Sequence, residues 1–256
     1  MNKKEVFAHF SSILDDMLYD SLFFCTYFQR PESTENFYGD DSDESLPSHI
    51  QVCFGATRGV ILDAYYDYVV KFDAEEDAFG KVCEREESLY QAALDENVAQ
   101  YFTECTYIGS YTKTINFYDA DKILNRISYC GYDPDSFDRS FIAHEDEFGE
   151  IHPITISIPL YAYPKARRHQ PAMPIEDKKY MAKARAIYSP LAERSVAVAI
   201  DFIRQYGEEE YRRFSSFLAR ENINDLHANN FGDVDGKFVC IDYGGYHDWC
   251  DSSMAE

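Results

Sequence analysis

The chain has 256 residues, enough for one large domain or two small lobes whose core needs no disulfide or metal. Its 46 Asp and Glu residues against 24 Lys and Arg give a formal net charge of −22. A negative field of this size repels phosphate backbones and anionic lipid, so it argues against direct nucleic-acid binding and a membrane role. It is compatible with a basic protein partner or with mimicry of a nucleic acid.

The cysteines and the apolar runs indicate a compartment. Seven scattered cysteines without a C-x-x-C pair indicate free thiols in a reducing cytoplasm rather than a zinc site or a disulfide framework. The longest apolar cluster, residues 22–28, is too short to span a bilayer. We therefore expect a cytoplasmic protein.

The first part of the chain predicts a helix, an acidic linker and then strands. Apolar residues recur every four positions over 3–29, which predicts an amphipathic helix packed on the rest of the protein. Residues 30–48 have the composition of a loop and carry a dense run of acids. Further along we expect strands at 51–55, 59–62 and 68–72, a helix at 76–96, a strand pair at 107–117, a short helix at 121–127, an acidic loop at 133–152 and a buried strand at 153–164.

The second part is mostly helical. Prolines near residue 164 mark a boundary, after which the composition favours helices. We expect helices at 176–187, 190–206 and 211–221, then a loop at 222–230 and a strand at 238–243.

The strongest chemical signal lies in this last part. Asp225 and Asn230 are five residues apart on a loop after a helix, and a short strand then carries Asp242 into a glycine-flanked turn. Two carboxylates and an amide can converge there around Mg²⁺, which prefers a few oxygen ligands and keeps sites for water and phosphate oxygens. A carboxylate not bound to the metal can orient a nucleophile. An ordinary Asn- and Asp-rich turn followed by a strand remains the alternative.

This segment resembles the catalytic loop and metal-binding motif of the protein-kinase-like superfamily, where D-x-x-x-x-N precedes D-F-G or a variant. His227, two places after the first Asp, resembles the aminoglycoside and choline kinases, HipA-type kinases and kinases encoded by bacteriophages. By that resemblance Asp225 is the catalytic Asp, Asn230 and Asp242 bind Mg²⁺, and His227 lies near the transferred phosphate.

Upstream residues follow the order that the resemblance requires. Val69-Val70-Lys71-Phe72 resembles the strand whose lysine contacts the α and β phosphates of ATP, and a glutamate on the next helix should pair with that lysine. We choose Glu86 over its acidic neighbours because it shares a helix face with Leu89 and Tyr90. An edge-strand lysine and a solvated glutamate are the alternatives.

The sequence signals for the remaining nucleotide contacts are weaker. Gly55 and Gly59 fall where a phosphate-covering loop should be, although the full G-x-G-x-x-G is missing and a plain turn fits equally. Tyr161 and Ala162 fall at the end of a strand that resembles the hinge between lobes, which contacts adenine, and an ordinary strand end is the alternative.

The resemblance implies an α+β, two-lobed kinase-like fold. The expected domains are an N-terminal helix with an acidic linker at 1–49, an N-lobe with a small antiparallel sheet at 50–163 and a short helical C-lobe at 164–256. Two departures matter. Ile223-Asn224 replaces the expected His-Arg or His-Gly, and only twelve residues follow Gly244, so we expect no activation segment of the eukaryotic type.

Two kinds of function are compatible with these residues. The first is transfer of a phosphoryl group from ATP with Mg²⁺ to a protein Ser or Thr, with a basic protein as one option, or to a small molecule. The second is non-enzymatic: an acidic kinase-like scaffold that binds a basic factor or mimics a nucleic acid. The net charge favours the second, whereas Lys71, Asp225, Asn230 and Asp242 favour the first, since a decoy does not need them.

Overall fold

A computed structural model describes residues 1–17, 47–54, 58–73, 81–115, 143–145, 151–169 and 178–244. The chain is a mixed α+β protein. Its helices are α1 (Lys3–Met17), α2 (Val82–Asp95), α3 (Lys178–Ala186), α4 (Pro190–Arg194), α5 (Val196–Tyr206) and α6 (Glu208–Arg220). Its strands are β1 (Ile50–Phe54), β2 (Arg58–Asp63), β3 (Tyr68–Asp73), β4 (Thr106–Ile115), β5 (Ala143–Glu145), β6 (Ile151–Pro164), β7 (Arg167–Arg168), β8 (Phe231–Val234) and β9 (Lys237–Cys240).

The chain divides into two compact units. The first contains Met1–Glu76 and Tyr107–Ala162, and the second contains Asp77–Thr106 and Tyr163–Glu256. The chain passes from the first unit to the second between Ala162 and Tyr163, next to the boundary expected between residues 163 and 164. Helix α2 was expected in the N-lobe, and by its contacts it groups with the second unit, because Leu89 and Ala93 pack in that unit's core.

The first unit is a sheet covered by a helix. Its strands lie in the order β1-β2-β3-β6-β4, with β5 paired to β6, and β1, β2 and β3 pair antiparallel. Helix α1 buries Val6, Phe10 and Leu14 in a core that also contains Val70 and Phe72 of β3. This confirms that the N-terminal helix packs on the body of the protein. The helix was expected to continue to residue 29, and residues 18–46 lie outside the described part.

A buried carboxylate joins helix α1 to this sheet. Asp63, at the end of β2, has a side chain only 2% exposed, and its Oδ2 lies 2.7 Å from Nε2 of His9. Burial pushes the pKa of Asp63 upward, but hydrogen bonds from the Tyr65 N–H and from His9, with the charges of His49 and His9, outweigh it and lower the pKa below its ordinary value. The ionised form of Asp63 is thus the form that stabilises the first unit.

The second unit is a helical bundle with a small sheet. Helices α5 and α6 supply a row of buried aliphatic and aromatic side chains, among them Phe202, Phe214 and Phe217. Strands β7, β8 and β9 form the accompanying antiparallel sheet. Three glutamates occupy the first turn of α6, where the helix dipole favours negative charge.

The structure corrects three predicted elements. The helix expected at 190–206 is two helices, because Ser195 is extended (φ −151°, ψ 96°) and its hydroxyl accepts the N–H of Val198 to begin α5. The strand pair expected at 107–117 is one strand, β4, over its described length. Part of the expected acidic loop, Ala143–Glu145, pairs with β6 as β5. The short helix expected at 121–127 lies outside the described residues.

Candidate functional site

A tight hairpin in the second unit lies between two of the candidate site residues, Asn230 and Asp242. Strands β8 and β9 are joined by Asp235 and Gly236, whose φ angles of 50° and 77° suit a two-residue turn of type I′. The register pairs Phe231 with Cys240, so the next residues outward, Asn230 and Ile241, also face each other. The Ile241 N–H donates to the Asn230 carbonyl at 2.8 Å. Asp242 therefore follows directly on the residue that is hydrogen-bonded to Asn230.

Asn230 closes the loop that contains Asp225. Its side-chain Nδ2 donates to the Asp225 carbonyl at 2.6 Å, and its backbone N–H donates to the His227 carbonyl at 2.9 Å. The residue is 5% exposed. Because Nδ2 is used inside the loop, Oδ1 is the side-chain atom of Asn230 that suits a cation.

The Asp225 carboxylate lies beside the His227 ring. Its Oδ1 is 3.6 Å from Nε2 of His227, and the two side chains are 27% and 53% exposed. Ile223 and Leu226, both buried, anchor the loop in the core on either side of Asp225. The loop thus presents a partly exposed carboxylate and an imidazole to solvent, an arrangement that can accept a proton or a hydrogen bond from a hydroxyl.

A buried glutamate holds the segment that follows Asp242. Glu86 is 0% exposed, and its Oε1 accepts the backbone N–H groups of Tyr243 at 2.8 Å and Gly244 at 3.0 Å. Its Oε2 accepts the Tyr163 hydroxyl at 2.6 Å. Burial and the negative charge of Glu86 raise the pKa of both Tyr163 and Tyr243 well above the ordinary value. The inward position of Glu86 predicted from helix phase is confirmed, since Glu86 is buried whereas Glu84 is exposed.

Gly244 lies against helix α2 more closely than any side chain would allow. A Cβ atom at this position would lie 2.4 Å from Cγ1 and 2.8 Å from the carbonyl oxygen of Val82. The glycine therefore lets its own N–H reach Glu86. Sequence reasoning missed the partners Tyr163 and Tyr243, because no local pattern links them to a residue some 80 or 160 positions away.

Lys71 is a buried cation at the centre of β3 in the first unit. It is 8% exposed and lies opposite Val60 of β2. Lys71 and Glu86 belong to different units, and their pairing stays a prediction. Gly59 is a residue of β2, where a Cβ atom would lie 2.2 Å from the ring of Phe72, so packing explains this glycine. Gly55 lies outside the described residues.

Tyr161 and Ala162 end the first unit's part of the long strand β6. Both are buried, at 5% and 1% exposure, and the Tyr161 ring lies 5.5 Å from that of Tyr107. The chain enters the second unit at the next residue, Tyr163. Contact of these two residues with adenine stays a prediction.

The donor set of the candidate metal site is small. Nowhere in the described parts of the chain do three His, Cys, Asp or Glu side chains form a group that could hold a metal. Binding of Mg²⁺ by Asp242 and Asn230 stays a prediction. A carboxylate and an amide oxygen are ligand types that fit this ion, since Mg²⁺ keeps several waters and takes phosphate oxygens.

The cytoplasmic compartment expected from the sequence stays a prediction. Within the described residues, no helix has both the length and the apolar character needed to cross a membrane. Cys53, Cys83, Cys105 and Cys240 have free thiols, and the other three cysteines lie outside those residues.

Comparison with known proteins identifies no relative. No protein-family model, no curated protein and no solved structure matches this chain.

Proposed function

We propose that this chain is an ATP- and Mg²⁺-dependent phosphotransferase with a minimal two-lobed, protein-kinase-like fold. The observation that carries the proposal is the hydrogen-bonded hairpin in which Asn230 donates to the Asp225 carbonyl and accepts from Ile241, the residue before Asp242. The segment from Asp225 to Asp242 contains two carboxylates and an amide, the groups that phosphoryl transfer uses, and these hydrogen bonds support the proposal that they act together.

The order of the other elements supports the same proposal. Lys71 lies on the third strand of the first unit, and Glu86 lies on the helix that follows it in sequence. In protein kinases the phosphate-binding lysine likewise lies on the third strand, and its glutamate partner lies on the helix that follows. The burial of both side chains supports a defined role for each, because an unpaired buried charge costs several kcal/mol.

Each residue has a separate task in this proposal. Lys71 binds the phosphates of the nucleotide, and Asn230 and Asp242 hold Mg²⁺ through oxygen atoms. Bound Mg²⁺ neutralises charge on the phosphates. Asp225 accepts the hydrogen bond of the acceptor hydroxyl and aligns it for attack, with His227 beside it. The acceptor is a protein Ser or Thr, following the resemblance to phage kinases.

Two substitutions test the proposal. Asp242→Asn should lose Mg²⁺-dependent ATP binding and phosphoryl transfer together, whereas Asp225→Asn should bind Mg·ATP and transfer phosphate far more slowly. Calorimetry measures binding, and labelled ATP with a cell lysate measures transfer and reveals the acceptor. Asp235→Asn is the matched control, since this exposed residue of the same hairpin has φ 50°, which Asn tolerates. Equal loss of binding in the two test variants would refute the division of roles, and unchanged transfer in both would refute the kinase proposal.

A second candidate is a non-enzymatic binding protein, which the net charge of −22 favours. It predicts no effect of Mg·ATP on thermal unfolding, whereas a nucleotide at 100 times its dissociation constant should stabilise an ATP-binding protein by about 2.7 kcal/mol. The melting temperature with and without millimolar Mg·ATP separates the two.

A further inference from the structure

One face of the β2–β3 hairpin carries two cations. Successive side chains of a strand point to opposite faces of the sheet. Ile61, Val70 and Phe72 point to the face that packs with helix α1. The register then places a second set on the other face: Arg58, Val60 and Leu62 of β2 with Val69, Lys71 and Asp73 of β3.

On this second face the cationic side chains are more buried than the aliphatic ones, which is the reverse of the usual order. Arg58 is 6% exposed and Lys71 8% exposed, whereas Val60, Leu62 and Val69 are each only half-buried. Aliphatic side chains normally occupy the inside, and Lys and Arg are mostly exposed. The chain thus keeps two cations in the least exposed positions of a face whose aliphatic residues are more open.

The two cations are neighbours. Arg58 lies opposite Asp73, and Val60, two residues further along β2, lies opposite Lys71. Arg58 and Lys71 are therefore diagonal neighbours, with a separation of about 7 Å that long side chains bridge easily. Among the residues of β2 and β3 that lie on this face, two are cations and one, Asp73, is an acid, in a protein whose net charge is −22.

We propose that Arg58 is a second phosphate-binding cation, acting with Lys71 on the triphosphate of a nucleotide. The inference rests on the proposed function, since it names a further contact of the same nucleotide. A guanidinium offers a planar fork of donors that can bind two phosphate oxygens at once, whereas the Lys71 ammonium acts as a point charge. Diagonal cations of these two kinds suit a chain of linked phosphates better than a single phosphate.

The test compares ligands that differ in phosphate number. Calorimetry measures the affinities of wild type, Arg58→Gln and Arg58→Lys for Mg·ATP, AMP and inorganic tripolyphosphate. Arg58→Gln should weaken ATP and tripolyphosphate binding about tenfold or more and leave AMP nearly unchanged, because hydrogen bonds to charged groups are the strong ones. Arg58→Lys should retain part of the affinity. Lys4→Gln is the control: it removes one positive charge from an exposed position on helix α1, across the sheet.

The outcomes separate this inference from the proposed function. If wild type binds ATP and both Arg58 variants bind it equally well, the inference is wrong and the kinase proposal stands. A lower melting temperature with unchanged affinity would likewise make Arg58 a purely structural residue. If Arg58→Gln does not fold, Arg58→Lys decides: selective loss of ATP over AMP supports the inference, and equal affinities overturn it.

The last two outcomes concern phosphoryl transfer and the failure of wild type to bind either ligand. Arg58-dependent binding of tripolyphosphate without phosphoryl transfer supports the inference and removes the kinase proposal. A wild-type protein that binds neither ATP nor tripolyphosphate refutes both.

Discussion

Replacement of Glu86 should strongly destabilise the second unit. Glu86→Ala removes the acceptor of three donors, the Tyr163 hydroxyl and the N–H groups of Tyr243 and Gly244, at a position with 0% exposure. Each buried donor left without a partner costs about 1–3 kcal/mol, so the lower bound for three is about 3 kcal/mol. That is a large part of the about 5–15 kcal/mol that stabilises a typical domain.

Two further variants serve as comparisons. One keeps the hydrogen bonds of residue 86 and removes its charge, and the other replaces a different glutamate of the same helix. Glu86→Gln keeps a carbonyl oxygen for the two backbone N–H groups, and its amide can donate to the Tyr163 oxygen. It should therefore cost only about 1–2 kcal/mol, the difference between a charged and a neutral acceptor. Glu84→Ala is the matched control on the same helix, because its side chain is 54% exposed and its carboxylate pairs with Lys81, at 3.3 Å, near the helix start. Its effect should stay within about 0.5 kcal/mol.

Urea denaturation followed by circular dichroism gives the free energy of unfolding of each variant. Hydrogen exchange reports on the site itself: the amides of Tyr243 and Gly244 should exchange faster in Glu86→Ala and stay protected in Glu84→Ala. If Glu86→Ala loses no more stability than Glu84→Ala, or if the two amides keep their protection, Glu86 does not hold the segment after Asp242.

Three more predictions concern separate parts of the structure. Gly244→Ala should destabilise the protein and speed exchange of its own amide, because the added Cβ meets the Val82 backbone at 2.8 Å; normal exchange would contradict this. Asp63→Asn should destabilise the protein at pH 7, and the difference in melting temperature should shrink as pH falls below about 4, because a lowered pKa stabilises only the ionised form. A pH-independent difference would rule out that linkage. Phe10→Ala should cost about 3–5 kcal/mol in urea denaturation, while Ser12→Ala, exposed on the same helix, should cost little.

The local features of the candidate site could be predicted from the sequence. Helix phase was enough to select Glu86 from three nearby glutamates, because burial follows the spacing of Leu89 and Tyr90. The spacing of seventeen positions from Asp225 to Asp242 left room for one short hairpin, and Asp235-Gly236 is a typical signal for its turn. Both features depend on residues close together in the chain.

The features that could not be predicted depend on long-range contacts. Nothing near Glu86 indicates that its carboxylate meets Tyr163 and Tyr243, which are 77 and 157 positions away. Gly59 looked like part of a phosphate loop, and only the sheet register shows that the Phe72 ring covers it. The break at Ser195 was missed for a different reason: helical composition continues through it, and a single hydroxyl cap decides where α5 begins.

The burial of Glu86 also bears on the choice between an enzyme and a binding protein. A buried carboxylate is a poor route to stability, because apolar residues of similar volume often serve as well or better. A protein that acts only through its acidic surface therefore gains nothing specific from this residue. What Glu86 does provide is hydrogen bonds to the backbone directly after Asp242. The hydrogen bond between Ile241 and Asn230 lies directly before Asp242 in the chain. Asp242 thus lies between backbone groups that are hydrogen-bonded on both sides. A metal ligand benefits from such a support, so this arrangement favours the phosphotransferase proposal.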